Sequence, residues 1–325
     1  MIPVPRDCFK LILTLTLVFI ASGCARSDKS LSAEILGANG LFFDAHDQLY
    51  VASVIGAGIW VIDRESGETK KILSKREGVL SPDDVTIGPS GVVYFTNLLH
   101  GTVGSLSPEG RVSEIANLGV GVNSLTLADD GQLWVGRDFF GDGLYQLDPS
   151  GKEQPRTVIT EPGWINAMDF GPDGMLYGPV YSKSIVVRIN PLNGVMTTVA
   201  DDFAARLHAV KFDHAGRLYV LESRPGRVLR IDLESGERTV LGSYASGLDN
   251  LAFDSSDRLF VSSHLDGSIH EVMKDSSLRV VRGPTDKAVS STLAVFIGIP
   301  VFLVLVLVAM VLFLRRMYLR HRIVN

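Results

Sequence analysis

Leu207-His208-Ala209-Val210-Lys211-Phe212-Asp213-His214-Ala215-Gly216-Arg217-Leu218-Tyr219-Val220 reads as strand, turn, strand. Two short apolar runs flank an Asp-x-x-Gly turn, in which Asp bonds its own backbone and Gly takes a positive φ. Working outward, Arg227-Val228-Leu229-Arg230-Ile231-Asp232 is a third strand. The turn Glu234-Ser235-Gly236 leads to a fourth, Arg238-Thr239-Val240-Leu241. The turn recurs as Pro89-Ser90-Gly91, Asp129-Asp130-Gly131 and Pro172-Asp173-Gly174. The third strand recurs as Ile59-Trp60-Val61-Ile62-Asp63 and Leu144-Tyr145-Gln146-Leu147-Asp148.

The unit is present six times. Asn39, Asp83, Asn123, Asn166, His208 and Asp249 each stand ten residues before a strand centre, at Leu49, Val93, Leu133, Leu176, Leu218 and Leu259. Successive copies are 40 to 44 residues apart. Four short antiparallel strands in a repeat of about 42 residues form a propeller blade. The predicted fold is all-β, a six-bladed β-propeller over residues 31–283. A linear β-solenoid uses shorter repeats and leaves sheet edges open, whereas a ring hides them. Two segments compete to close the last blade: Ser32-Ala33-Glu34-Ile35-Leu36 and Leu278-Arg279-Val280-Val281.

The 325-residue chain carries a net charge of −5 while both its ends are basic, so the body is more acidic than the whole. An acidic body without a basic stripe excludes nucleic acid as a partner. Both cysteines, Cys8 and Cys24, precede the repeats, so the propeller uses no disulfide.

The two ends read as membrane signals. Residues 1–24 place Arg6 and Lys10 before the apolar run Leu11 to Ala21, the pattern of a secretory signal peptide. Ala21-Ser22-Gly23-Cys24 also resembles a bacterial lipobox, so lipidation of Cys24 and plain cleavage both fit. A polar linker, 284–291, precedes 292–314, a stretch of 23 residues without a charge. As a helix it would measure about 34 Å, enough for a transmembrane span. The tail 315–325 holds Arg315, Arg316, Arg320 and Arg322, as cytoplasmic flanks do. The expectation is a membrane-anchored protein with its body outside the cytoplasm, periplasmic or extracellular, and its tail inside.

In a propeller, the position just before each innermost strand sits at one mouth of the central channel. Carboxamide and carboxylate oxygens gathered there suit a divalent cation, above all calcium. The candidate metal ligands are Asn39, Asn123, Asn166 and Asp249, with Asp83 assisting. Asn and Asp also serve turns by bonding their own backbone, which explains the repeat equally well. Loops after each second strand return to the same mouth with Asp138, Tyr181, Ser223, Arg224 and His264. His208, with His264 and His100, would make a softer, zinc-type site. The candidate catalytic groups are His208 and Glu222, as proton carriers. Pairing of Glu222 with Arg224 or Arg137 is the competing reading. No G-x-S-x-G, H-E-x-x-H, C-x-x-C or phosphate-loop motif occurs.

Val122-Asn123-Ser124-Leu125, Ile165-Asn166-Ala167-Met168 and Leu248-Asp249-Asn250-Leu251, each followed by a turn and strand like Asp-Gly-x-Leu-Tyr-Val, resemble a known superfamily. It comprises gluconolactonase and senescence-marker-protein lactonases, paraoxonases and strictosidine-synthase-like proteins. NHL-repeat propellers and virginiamycin B lyases look similar. The resemblance implies a divalent cation at the channel mouth, with Asn123 and Asn166 in the two Asn positions of the lactonases. Asn39 stands where those lactonases have Glu, and His208 where they have Asp. Asp249-Asn250 resembles the Asp-Asn pair of paraoxonases, one blade late. The function so implied is cation-dependent hydrolysis of a lactone or ester. The alternatives are a non-catalytic module that binds a protein, peptide or glycan, and a metal-dependent lyase.

Overall fold

A computed structural model describes residues 35–244 and 247–284, together with positions 290, 291 and 310. The signal segment 1–24 and, apart from Met310, the span 292–314 and tail 315–325 lie outside the described residues. Among the described residues no helix is long and apolar enough to cross a membrane.

Six four-stranded sheets follow one another along the chain, and in each the strands are antiparallel neighbours in sequence order. The blades cover 41–74, 82–117, 122–160, 169–200, 207–243 and 248–282. First strands of neighbouring blades touch round the hub, and the sixth blade returns to the first.

The second strands show why the sequence folds this way. In Leu49–Ser53, Leu49 and Val51 point to one face and pack with Phe260 and Ile269 of blade six. Ala52 points to the other face and packs with Val85 and Phe95 of blade two. Side chains alternate along a strand, and here both faces are covered, so both carry apolar residues. The same arrangement repeats round the ring and gives one apolar cluster per blade interface. The core is thus six wedges, with Trp60, Trp134 and Phe260 the largest fully buried side chains.

Closure uses the chain's own C-terminal strand. Leu278–Arg282 forms the outer strand of blade six, so the competing segment is not needed there. Ile35 instead packs into the cluster between blades one and six. Side chains bind that seam. Phe43 and Phe260 have ring centroids 4.8 Å apart. The fully buried Asp254 receives Arg64 Nη1 at 3.0 Å from blade one and Arg258 Nε at 2.6 Å from its own turn. Replacing Asp254 with alanine removes both charged bonds and the two that its Oδ1 accepts from Ser256 N and Arg258 N, and leaves the two guanidiniums partly hydrated. We expect a loss of roughly 2 kcal/mol in denaturant titration, as for hydrogen bonds to charged groups. Unchanged stability would mean that apolar packing alone closes the ring.

Candidate active site at the channel mouth

The inner strands begin with bulges, and the bulges build the site. In blade two, Pro82 pairs with Asn97 and Val85 with Phe95, so Asp83 and Asp84 together oppose Thr96. Asn123 with Ser124, and Asp249 with Asn250, repeat this in blades three and six. In blade five His208 is the extra residue between Leu207 and Ala209. A bulge turns one side chain out of the ladder and re-aims it. Hydroxyls of the second strands hold the geometry. Thr96 Oγ1 accepts from Asp84 N and donates to Asn123 O of the next blade. Ser262 Oγ does the same between Asn250 N and Asn39 O.

Four of the six ring residues meet. Asn39 Nδ2 donates to Asp249 Oδ2 at 3.1 Å and reaches Asp83 Oδ1 at 3.4 Å. His208 Nδ1 lies 3.1 Å from Asp249 Oδ1, and His264 Nδ1 lies 3.2 Å from the same oxygen. The two imidazoles stack, with centroids 5.8 Å apart and planes 5° from parallel. His208, Asp249 and His264 present ligand atoms within 4.8 Å of one another, a group that could hold a metal ion. His100 is exposed on its own turn.

Asn123 faces a different neighbour. Its Oδ1 is buried with no hydrogen-bond donor, and so are both carboxyl oxygens of Asp138 on the loop after the second strand of blade three. Burial drives the Asp138 carboxyl well above its ordinary range, and the Asn123 amide, close by but outside hydrogen-bonding geometry, offsets this only in part. Asp83 is pushed up as well, by burial first and then by the charges of Asp249, Asp138 and Asp84. Burial would also raise Asp249, but its bonds from His208 and His264 outweigh that and hold it ionised far below the usual range. Three carboxyls thus share one mouth, and burial without a neighbouring positive charge disfavours the ionisation of two of them. Three buried acceptor oxygens without donors fit a hard divalent cation.

A second tier lies along the channel. Asp84 Oδ2 accepts from Leu125 N at 3.0 Å, and Asp84 Oδ1 from Asn250 Nδ2 at 3.3 Å. Burial raises the Asp84 carboxyl to about 6, against the pull of Lys211 and two backbone N–H groups. Between pH ~4 and ~6 the folded chain therefore keeps a proton that the unfolded chain has released. Cation-free protein is expected to lose about 3 kcal/mol of stability as pH rises through that window. In Asp84→Asn the loss seen in pH-dependent denaturant titrations should be smaller by this amount, with Asp83 and Asp138, also raised by burial, supplying what remains; an equal loss in the variant would exclude Asp84 as a source.

Two expected site residues are engaged elsewhere. Asn166 turns its Oδ1 onto Ala167 N at 2.7 Å, the local turn bond that Asn at this position also favours. Glu222 is fully buried and bonded to Arg227 Nε across the adjacent strand, rather than to Arg224 or Arg137. Its equivalents show what the position does: Ser53 Oγ donates to Leu36 O, and Asn97 Oδ1 accepts from Ser81 N. Ser53 and Asn97 thus fasten the connectors between blades, whereas Glu222 is used within its own blade. Asp138 was placed at this mouth by its loop, but its role as an orphaned acceptor could not be read from sequence. Asp84 and Asn250 carried a signal only as second members of the Asp-Asp and Asp-Asn pairs.

No protein-family model matches the chain, and no curated protein matches it in sequence. Solved structures do resemble it. A virginiamycin B lyase from Staphylococcus aureus aligns over 77% of this chain and 85% of its own, at 15% identity and a TM-score of 0.58. A gluconolactonase from Xanthomonas campestris aligns over 72% and 85%, at 16% identity and a TM-score of 0.57. Regucalcin from Agrobacterium tumefaciens, described as a calcium-binding protein, aligns over 72% and 85%, at 17% identity and a TM-score of 0.59. At these identities the likeness establishes the shared propeller fold and leaves chemistry to the site.

Proposed function

We propose that this mouth is the active site of a divalent-cation-dependent hydrolase acting on a lactone or ester. The observation that carries the proposal is the set of buried acceptors without donors, Asn123 Oδ1 and both oxygens of Asp138, beside the crowded carboxyls of Asp83 and Asp249. Asn123, Asp138 and Asp83 would hold the cation, with Asp249 at its edge; Asn39 turns its amide nitrogen to these carboxyls while its Oδ1 accepts from Val54 N at 3.2 Å, so it orders the ring rather than supplying a ligand. When bound, the cation polarises a substrate carbonyl and offsets the negative charge that develops on its oxygen.

The remaining chemistry belongs to the chain. Ionised Asp249 requires the proton of His208 on Nδ1, which leaves the Nε2 lone pair as a base. His208 takes a proton from the attacking water as its oxygen bonds to the carbonyl carbon. It returns the proton to the alkoxide when the carbon–oxygen bond breaks, so the reaction consumes one water and changes no oxidation state. His264 shares Asp249 and stacks on His208, which fixes the orientation of the ring.

A His base oriented by Asp also suits proton abstraction, so a lyase is the second reading; a non-catalytic recognition module is the third. A panel of γ-lactones, δ-lactones and aryl esters, assayed with added calcium or zinc and again with EDTA, separates them. We expect cation-dependent turnover of at least one class. Elimination products would favour the lyase, and no turnover with any cation would leave the recognition module. We further propose that the body is tethered outside the cytoplasm by 292–314; protease added to spheroplasts should then trim it, and full protection would reverse this topology.

A further inference from the structure

An aromatic lip stands beside the proposed site, on the loops of blades three and four. Phe139, Trp164 and Tyr181 form one cluster, with Phe139 5.4 Å from Trp164 and 5.5 Å from Tyr181 between ring centroids. Tyr181 in turn meets His208 edge-on at 5.4 Å, so the cluster is continuous with the base. Phe139 is 44% exposed and its neighbour Phe140 65%.

The lip is built rather than incidental. Phe139 and Trp164 both have left-handed backbones, at φ 60° and 67°, which bulky residues rarely adopt. Surrounding side chains hold them there. Asp142 Oδ1 accepts from Trp164 N at 3.0 Å and its Oδ2 from Gly163 N at 3.0 Å. Arg137 Nη2 donates to Phe140 O at 3.2 Å, and its Nε to Val120 O at 2.9 Å. Arg206 donates to Tyr181 O at 2.8 Å and lies over that ring. Phe139 directly follows Asp138, so one loop supplies both a proposed cation ligand and an apolar wall.

We propose that this lip is the subsite for an apolar ring or acyl group of the substrate. The site would then take lactones or esters bearing aryl or alkyl groups, and disfavour polyhydroxylated sugar lactones. Three things argue for a small-molecule group as the occupant: the rings touch the base, the wall shares a loop with the cation ligand, and the mouth opens on the channel axis. Flat aromatic surface gives such a group large contact area, whereas the many hydroxyls of a sugar lactone gain less from three ring faces.

The proposal rests on the hydrolase reading only for the reacting group, and binding tests it separately. Of the chain's three tryptophans, Trp60 and Trp134 are each 1% exposed, which leaves Trp164 as the reporter in contact with the mouth. A phenyl-substituted γ-lactam, which resists hydrolysis, should change the Trp164 emission of the EDTA-treated protein saturably. Trp164→Phe should abolish that signal, and Phe139→Ser should weaken lactam affinity about tenfold. Binding without turnover of the matching lactone would sink the hydrolase and keep the lip. If the lactam gives no saturable signal, the lip is not a binding surface. A Phe139→Ser variant with unchanged affinity overturns the proposal too, as does glucono-δ-lactone binding as tightly as the lactam.

Discussion

Replacing His208 with alanine is expected to lower kcat for the best lactone or ester by about 100- to 10,000-fold, the range for loss of a positioned general base. The fold should survive, because His208 is partly exposed at the mouth and Asp249 keeps its bonds from His264 and Asn39. Glu222→Gln is the matched contrast. Glu222 is fully buried and paired with Arg227 on the adjacent strand of blade five. That change should reduce stability, since it strips the charge from a buried ion pair, while kcat stays near wild type once the protein is folded. Full activity in His208→Ala, or a large kcat loss in folded Glu222→Gln, would reverse the two roles.

The second large effect is on stability. A cation that binds only the folded chain stabilises it by about 3 to 4 kcal/mol at 100 to 1,000 times its dissociation constant. For a domain of this size that raises Tm by roughly 10 °C. Asp138→Asn should remove most of this response, because it replaces one of two orphaned acceptor oxygens with an amide donor. The same variant, without cation, should be at least as stable as wild type, because burial disfavours the charged Asp138 carboxylate and a neutral amide avoids that cost. The pair of outcomes is diagnostic. A variant that is merely damaged would lose stability under both conditions; a variant lacking a ligand loses only the response to cation. A wild-type protein whose melting ignores calcium, zinc and EDTA alike would remove the cation from the mechanism.

The sequence carried the architecture because propeller blades are local. Each sheet is built from four consecutive strands, and turn residues such as Asp213 and Gly216 bond within a few positions of themselves. The period of the polar ring residues then located the mouth, and four of the six residues meet there. What the sequence could not resolve was the direction of each side chain. Asn123 and Asn166 occupy equivalent positions, yet one carbonyl is left without a donor and the other closes on its own backbone. The difference arises from neighbours in other blades, which no local pattern encodes. The role of Asp138 was hidden for the same reason: it lies on a loop without a repeating motif, and only burial turns its carboxyl into an acceptor lacking a donor. Glu222 showed the opposite effect. Its isolation as the one carboxylate at its offset suggested chemistry, but pairing across the adjacent strand gives it to Arg227.

The most direct test is calorimetric titration of calcium, and then zinc, into chelator-stripped protein, wild type beside the double variant Asn123→Ala/Asp138→Asn. We expect one divalent ion per wild-type chain and no saturable heat in the variant. Wild-type protein that takes up neither metal, or a double variant that binds as the wild type does, would show that these buried oxygens are not a cation site.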